Sequence, residues 1–217
     1  MYLVKEMFYS LQGEGAQTGR PAVFCRFSGC NLWNGQERSR EKSICTFCDT
    51  DFVGTDGHGG GKFREPEELA LAVNQLWPKG VSGKPYVICT GGEPMMQVDE
   101  ALITAFHNLD LEVAVETNGT LPVPESVDWI CVSPKGTATL VQTKGDELKL
   151  VYPQYDAMPE KFEDLVFDYF YIQPKDLAYI AGDVGVQSDV LRQSIDYCMT
   201  HPKWRLSIQT HKEIGIE

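Results

Sequence analysis

The sequence has no run of about 18 apolar residues, the length that a membrane-spanning helix needs. Its opening, MYLVKEMFYS, has no basic stretch followed by a long apolar one, so it does not read as a secretory signal. Basic residues are scarce: 19 Lys and Arg stand against 31 Asp and Glu, a formal charge of −12. Such a surface repels phosphate backbones, which argues against non-specific nucleic-acid binding. No internal repeat and no low-complexity segment occurs, and the composition rules out a disordered chain. Seven cysteines cannot all close into disulfides. Without a secretion signal the expected compartment is the reducing cytoplasm, where cysteines are buried, reactive or metal-bound. What is present is ordinary: 217 residues, 42% hydrophobic and 23% charged, read as one domain over 1–217.

Apolar runs alternate with helical patterns. Residues 2–9, 22–28, 85–89, 111–115, 128–132, 147–152, 167–172 and 204–209 read as strands. Residues 66–77, 98–109 and 187–199 read as helices. In the first, Pro66 suits the opening turn and Leu69, Val73, Leu76 and Trp77 share a stripe. Strand, loop, helix, strand is the pattern of a parallel sheet with crossover helices. With six to eight strands and a length below the roughly 250 residues of a full eightfold barrel, the expected fold is an α/β partial, trimmed (β/α) barrel. Polar motifs stand where strands end: TGGEP, ETNG, SPK and QPKD. Sites in such folds gather at these strand ends, so the motifs should converge on one cavity. Residues 30–63 are irregular, and 54–61 read as a flexible glycine loop. It is not a phosphate-binding Walker loop, because Lys62 lacks a following Ser or Thr.

The cysteines separate by context. Cys25, Cys89 and Cys131 sit in strand-like apolar runs and read as core residues, and Cys198 reads as a helix-face residue. Cys30, Cys45 and Cys48 sit in loop-like sequence. Cys45 and Cys48 form a C-x2-C clip, and residues 31–44 separate it from Cys30. Three readings compete. A structural zinc would need a fourth ligand, for which His58 is the nearby histidine. A redox dithiol would need no third cysteine. A [4Fe–4S] cluster on three thiolates would leave one iron open for chemistry.

The surroundings of these thiols resemble the radical S-adenosylmethionine (SAM) superfamily. Three cysteines follow the strand AVFCRFSG, Phe47 takes the aromatic place before Cys48, and Thr90-Gly91-Gly92-Glu93-Pro94 matches the GGEP motif. Within it, the chain resembles the 7-carboxy-7-deazaguanine synthase family. The matching segments are FYSLQGEG at 8–15, RFSGC at 26–30, CDT at 48–50, SPK at 133–135, QPKD at 173–176 and QTHK at 209–212. The match runs along nearly the whole chain, with 31–44 as an expanded cluster-binding loop.

The resemblance implies a radical SAM lyase, with the chemistry carried by cofactors rather than by a catalytic side chain. Its implied substrate is 6-carboxy-5,6,7,8-tetrahydropterin, contracted with loss of ammonia to 7-carboxy-7-deazaguanine, a queuosine precursor. Cys30, Cys45 and Cys48 would hold the [4Fe–4S] cluster. Phe47, Gly92, Glu93, Ser133, Pro134, Lys135, Gln173, Pro174, Lys175 and Asp176 would contact SAM. Gly91 and Gly92 would let backbone approach that ligand. Leu11, Gln12, Gly13, Glu14, Arg26, Thr90, His211 and Glu217 would contact the substrate. Arg26 suits its carboxylate, and a surface ion pair is the plain alternative. Thr50 takes the family's Mg²⁺ position, with a helix cap as its alternative. A homodimer and an electron donor such as a flavodoxin are implied partners. A glycyl-radical activase and a non-catalytic Fe–S electron carrier are the competing functions.

Overall fold

The computed structural model describes residues 1–176 and 184–216, the side chains of 184–187 excepted. Among the described residues, nine strands run in one sheet: β1 Tyr2–Leu11, β2 Pro21–Phe27, β3 Gly61–Phe63, β4 Tyr86–Gly91, β5 Glu112–Thr117, β6 Trp129–Val132, β7 Lys144–Tyr152, β8 Val166–Pro174 and β9 Trp204–Leu206. Their order is β3-β1-β2-β4-β5-β6-β7-β8-β9. β1 is antiparallel to β2 and β3, and every neighbouring pair from β2 through β9 is parallel.

Among the described residues, three helices cross between strands: α1 Pro66–Leu76, α2 Glu100–His107 and α3 Val184–Thr200. The β5–β6, β6–β7 and β7–β8 connections have no α-helix, which is the trimming that the length implied. A short α4, Thr210–Ile214, follows β9. Asp99 caps α2, its Oδ1 accepting from Leu102 N at 3.0 Å.

The pleat sorts the strand residues. Cys25 and Phe27 of β2, Val87 and Cys89 of β4, and Val113 and Val115 of β5 are fully buried in the core that contains α1 and α2 residues. A second core joins Leu148 and Leu150 of β7, Ile172 of β8, and Tyr197 and Trp204. Residues of opposite parity (Arg26, Thr90, Glu116, Lys149) face a cavity instead. Cys25, Cys89 and Cys131 are buried as expected, and Cys198 packs against the second core. Burial pushes the Cys89 thiol up to about 12, as suits inert packing residues.

Two elements differ from expectation. Residues 54–61 are pinned to β1, with Met7 N donating to His58 O at 2.7 Å and Gly57 N to Lys5 O at 2.9 Å. That docking carries the chain into β3, which brings the count to nine strands. The second is α4, which follows the truncated β9. Thr210 N donates to Gly13 O at 2.9 Å, and Gly15 N donates to Ser207 Oγ at 2.9 Å. These bonds stitch the two margins of the barrel wall where strand pairing stops.

Candidate active site

The polar strand ends converge on a cavity of about 410 Å³. That is the size range of small-molecule sites. Eighteen of the expected site residues line it. Cys30, Cys45, Phe47, Cys48 and Thr50 come from the irregular segment, and Leu11, Gln12, Gly13 and Glu14 from the end of β1. Arg26, Thr90 and Gly92 come from β2, β4 and the turn after it. Ser133, Lys135, Gln173, Pro174, Asp176 and His211 complete the set. Glu217 lies outside the described residues.

Glu93, Pro134 and Lys175 are not among the residues that line this cavity. Glu93 is completely buried. Its carboxylate accepts from Met95 N at 3.0 Å, Thr117 Oγ1 at 2.7 Å and Asn118 N at 2.7 Å. It anchors the turn after β4 to the end of β5, with its acidity weakened by burial. Pro134 is buried with its carbonyl accepting from Gln154 Nε2 at 3.3 Å. Lys175 stands behind Phe47, its Nζ 4.8 Å from the ring centroid. The glycines of GGEP also have another reason than ligand approach. A Cβ on Gly91, at φ +128°, would lie 2.2 Å from Phe27 O, and one on Gly92 would lie 2.0 Å from Gly29 O. They bring β4 against the loop that carries Cys30.

The three loop thiols share the cavity wall. Cys30 Sγ accepts from Leu32 N at 3.4 Å. Cys45 is lowered to about 6 by a hydrogen bond from Cys48, aided by the charges of Lys135 and Arg40 against the penalty of burial. The same bond, with burial, raises the Cys48 thiol, and burial raises that of Cys30, so only Cys45 of the three is held toward the thiolate that an iron–sulfur centre takes. The zinc alternative fails on its fourth ligand, because exposed His58 packs its backbone on β1 and does not line the cavity. Among the described residues, no compact His, Cys, Asp and Glu group suits a single metal ion. Three cysteines on one cavity wall are the kind of donor set that a [4Fe–4S] cluster takes. Thr50 starts no helix, so its capping alternative falls as well.

Cations and carboxylates are paired along the floor. Lys149, with a side chain only 3% exposed, meets Glu14 Oε2 at 2.7 Å and Glu116 Oε2 at 2.8 Å. Gln12 Nε2 donates to Glu116 Oε1 at 2.7 Å. Gln209 Nε2 and Gln173 Nε2 donate to Glu14 Oε1 at 2.8 and 3.1 Å. His211 packs so closely on Gly13 that a Cβ there would lie 2.1 Å from its Nδ1. At the rim, Lys212 bridges Asp49 at 2.8 Å and Asp176 at 2.5 Å. Arg26 Nε donates to Glu6 Oε1 at 2.7 Å, so the expected ion pair and the expected cavity position both occur.

Glu116 reaches the floor as the first residue of the ETNG motif, whereas nothing in the sequence motifs marks Lys149. The available signal was a lone Lys inside the apolar strand LKLVY, where a buried cation demands a counter-charge.

Comparison with known proteins agrees with this arrangement. The radical SAM superfamily model matches residues 40–174. The 7-carboxy-7-deazaguanine synthases of Caulobacter vibrioides and Bordetella pertussis are each 56% identical, over 99% of this chain and 99% of theirs. That of Bacteroides thetaiotaomicron is 41% identical over 100% of this chain and 99% of its own. The crystal structure of QueE from Escherichia coli superposes with a TM-score of 0.69 at 26% identity, covering 96% of this chain and 93% of that one. Three thiols at one cavity wall and full-length likeness at 56% identity lead to one assignment: the chain belongs to the 7-carboxy-7-deazaguanine synthase family of the radical SAM superfamily.

Proposed function

We infer that this chain converts 6-carboxy-5,6,7,8-tetrahydropterin to 7-carboxy-7-deazaguanine with release of ammonia, a step toward queuosine precursors. The observation that carries the reading is the end-to-end 56% identity to synthases named for that product. The cavity supports it, because a simple electron carrier has no use for a lined space of about 410 Å³.

Cys30, Cys45 and Cys48 would hold the [4Fe–4S] cluster, with one iron left without a protein thiolate and so available to SAM. When bound, cluster and SAM supply the one-electron, hydrogen-abstracting chemistry that no side chain here can supply. The protein orients the reactants. Phe47, Gly92, Ser133, Lys135, Gln173, Pro174 and Asp176 would flank SAM from the cavity wall, with Glu93, Pro134 and Lys175 completing the same set. Lys135 Nζ already donates to Ser133 O at 2.7 Å, which fixes the end of the SPK turn. Arg26 offers a guanidinium fork to the substrate carboxylate while Glu6 holds its Nε. Gln12, Glu14, Thr90 and His211 present donors and acceptors to the pterin edge, with Leu11 and Gly13 shaping that wall. Thr50 supplies a hard oxygen for Mg²⁺. Glu217, a homodimer, a flavodoxin-type donor and a cytoplasmic location belong to the same reading.

Anaerobic incubation of the reconstituted protein with SAM, a reductant and the pterin tests it by mass spectrometry. Formation of 7-carboxy-7-deazaguanine without matching accumulation of 5′-deoxyadenosine is expected. Stoichiometric 5′-deoxyadenosine with a glycyl radical on a partner protein would replace the lyase reading with the activase one.

A further inference from the structure

The expanded loop is organised by one side chain. Arg40 belongs to the 3-10 segment Glu37–Lys42, yet its side chain is only 12% exposed. Its guanidinium meets Glu37 in a two-toothed pair, Nε to Oε2 at 2.7 Å and Nη2 to Oε1 at 2.5 Å. The third nitrogen, Nη1, donates to Cys48 O at 2.9 Å and Thr46 O at 3.4 Å. Both carbonyls belong to the cysteine clip. The guanidinium carbon lies 4.0 Å from the ring centroid of Trp33. Trp33 is buried edge-on against Phe52, with centroids 5.6 Å apart.

These contacts form a chain from a buried aromatic pair, through a planar cation, to the backbone that carries Cys45 and Cys48. The clip has no helix or strand of its own to hold it. Loop backbone without ladder partners is otherwise free to open locally. A planar fork can satisfy a carboxylate on one edge and two carbonyls on another while its face stacks on an indole. Lysine can do only one of these at a time.

We propose that Arg40 is a positioning residue that clasps the Cys45–Cys48 clip onto Trp33 and so preorganises the thiols before iron arrives. Placing those thiols at the cluster rests on the functional reading above, but the clasp itself is a property of the chain.

Two measurements on Arg40→Gln and Arg40→Lys test it. In iron-free full-length protein, amide exchange across residues 45–48 should speed several-fold in both variants, while exchange in β1 and β2 and the thermal midpoint stay at wild-type values. In reconstituted protein, iron loss to a chelator should be several-fold faster in both, with a broadened reduced-cluster spectrum on SAM addition. Wild-type exchange at 45–48 in Arg40→Gln would overturn the clasp. So would full wild-type behaviour of Arg40→Lys, or exchange rising throughout the sheet with a falling midpoint. Retention of a full cluster by Cys45→Ala would instead overturn the ligand reading and leave the exchange result standing.

Discussion

Lys149 joins β7 to the turn after β1 through its 2.7 Å ion pair with Glu14, under the floor of the cavity. The same ammonium reaches Glu116 at 2.8 Å, so one buried cation fixes carboxylates from two other parts of the sheet. Removing one member of a buried pair leaves uncompensated charge. Lys149→Met should lower unfolding free energy by roughly 3–5 kcal/mol, the scale for breaking a buried ion pair, as read by urea denaturation. Glu116→Gln, which keeps the ammonium paired with Glu14, should cost less.

Glu14 gives this floor a pH dependence. Burial would raise its carboxyl, but the Lys149 charge, hydrogen bonds from Lys149 and Gln209, and the His211 charge hold it at about 2 instead of 4.5. A group depressed on folding contributes stability that is present above its unfolded value and lost as pH falls toward its folded value. Urea midpoints of the iron-free chain should therefore drop as pH falls from about 4.5 to about 2. Glu14→Gln should flatten that part of the profile, and an equally steep profile in the variant would assign the loss to other carboxylates.

Much of this architecture is legible in the sequence because a strand encodes two faces at once. Arg26 between Cys25 and Phe27 announces a polar face opposite the core, and Thr90, its partner in register on β4, does the same. Motifs at strand ends carry their own position, which is why eighteen of the expected residues meet at one cavity. Lys149 is harder to read, because a single charge in a strand has the same local signature whether it meets water or a buried carboxylate. Glu93 shows the converse: its place in a known motif is legible, but the donors that surround it come from Thr117 and Asn118, distant in sequence. The shape of 31–44 depends on Trp33, Arg40 and Phe52 finding one another, and no period marks such a set.

The cysteines divide sharply. Cys30→Ala, Cys45→Ala and Cys48→Ala should each abolish turnover and the site-differentiated cluster seen by electron paramagnetic resonance. Cys25→Ala and Cys198→Ala should keep the cluster, although Cys25→Ala leaves a small void in the core. Loss of the cluster from Cys198→Ala with retention in Cys30→Ala would reverse the ligand assignment.

Arg26 is held at one nitrogen by Glu6, which leaves the outer edge of its guanidinium for the cavity. Lysine offers a point charge in place of a fork. Arg26→Lys should weaken substrate binding by about 1.5–3 kcal/mol, ten- to a hundredfold, measured by equilibrium titration of the SAM-loaded protein. The spectral response of the cluster to SAM should not change.

Thr50 caps no helix, so its hydroxyl has no share in helix stability. Thr50→Ala should weaken Mg²⁺ stimulation of product formation and leave iron content and the thermal midpoint unchanged. An unaltered Mg²⁺ response would remove Thr50 from the metal site.

The stitch between Gly13 and Thr210 joins residues 197 positions apart in the chain. Gln209 reaches Glu14 from the same segment at 2.8 Å. Among the described residues β1 and β9 share no ladder, so closure of the wall between their ends rests on a few side chains and one carbonyl. Substitutions at Gln209 or Thr210 therefore act on the cavity without touching the sheet.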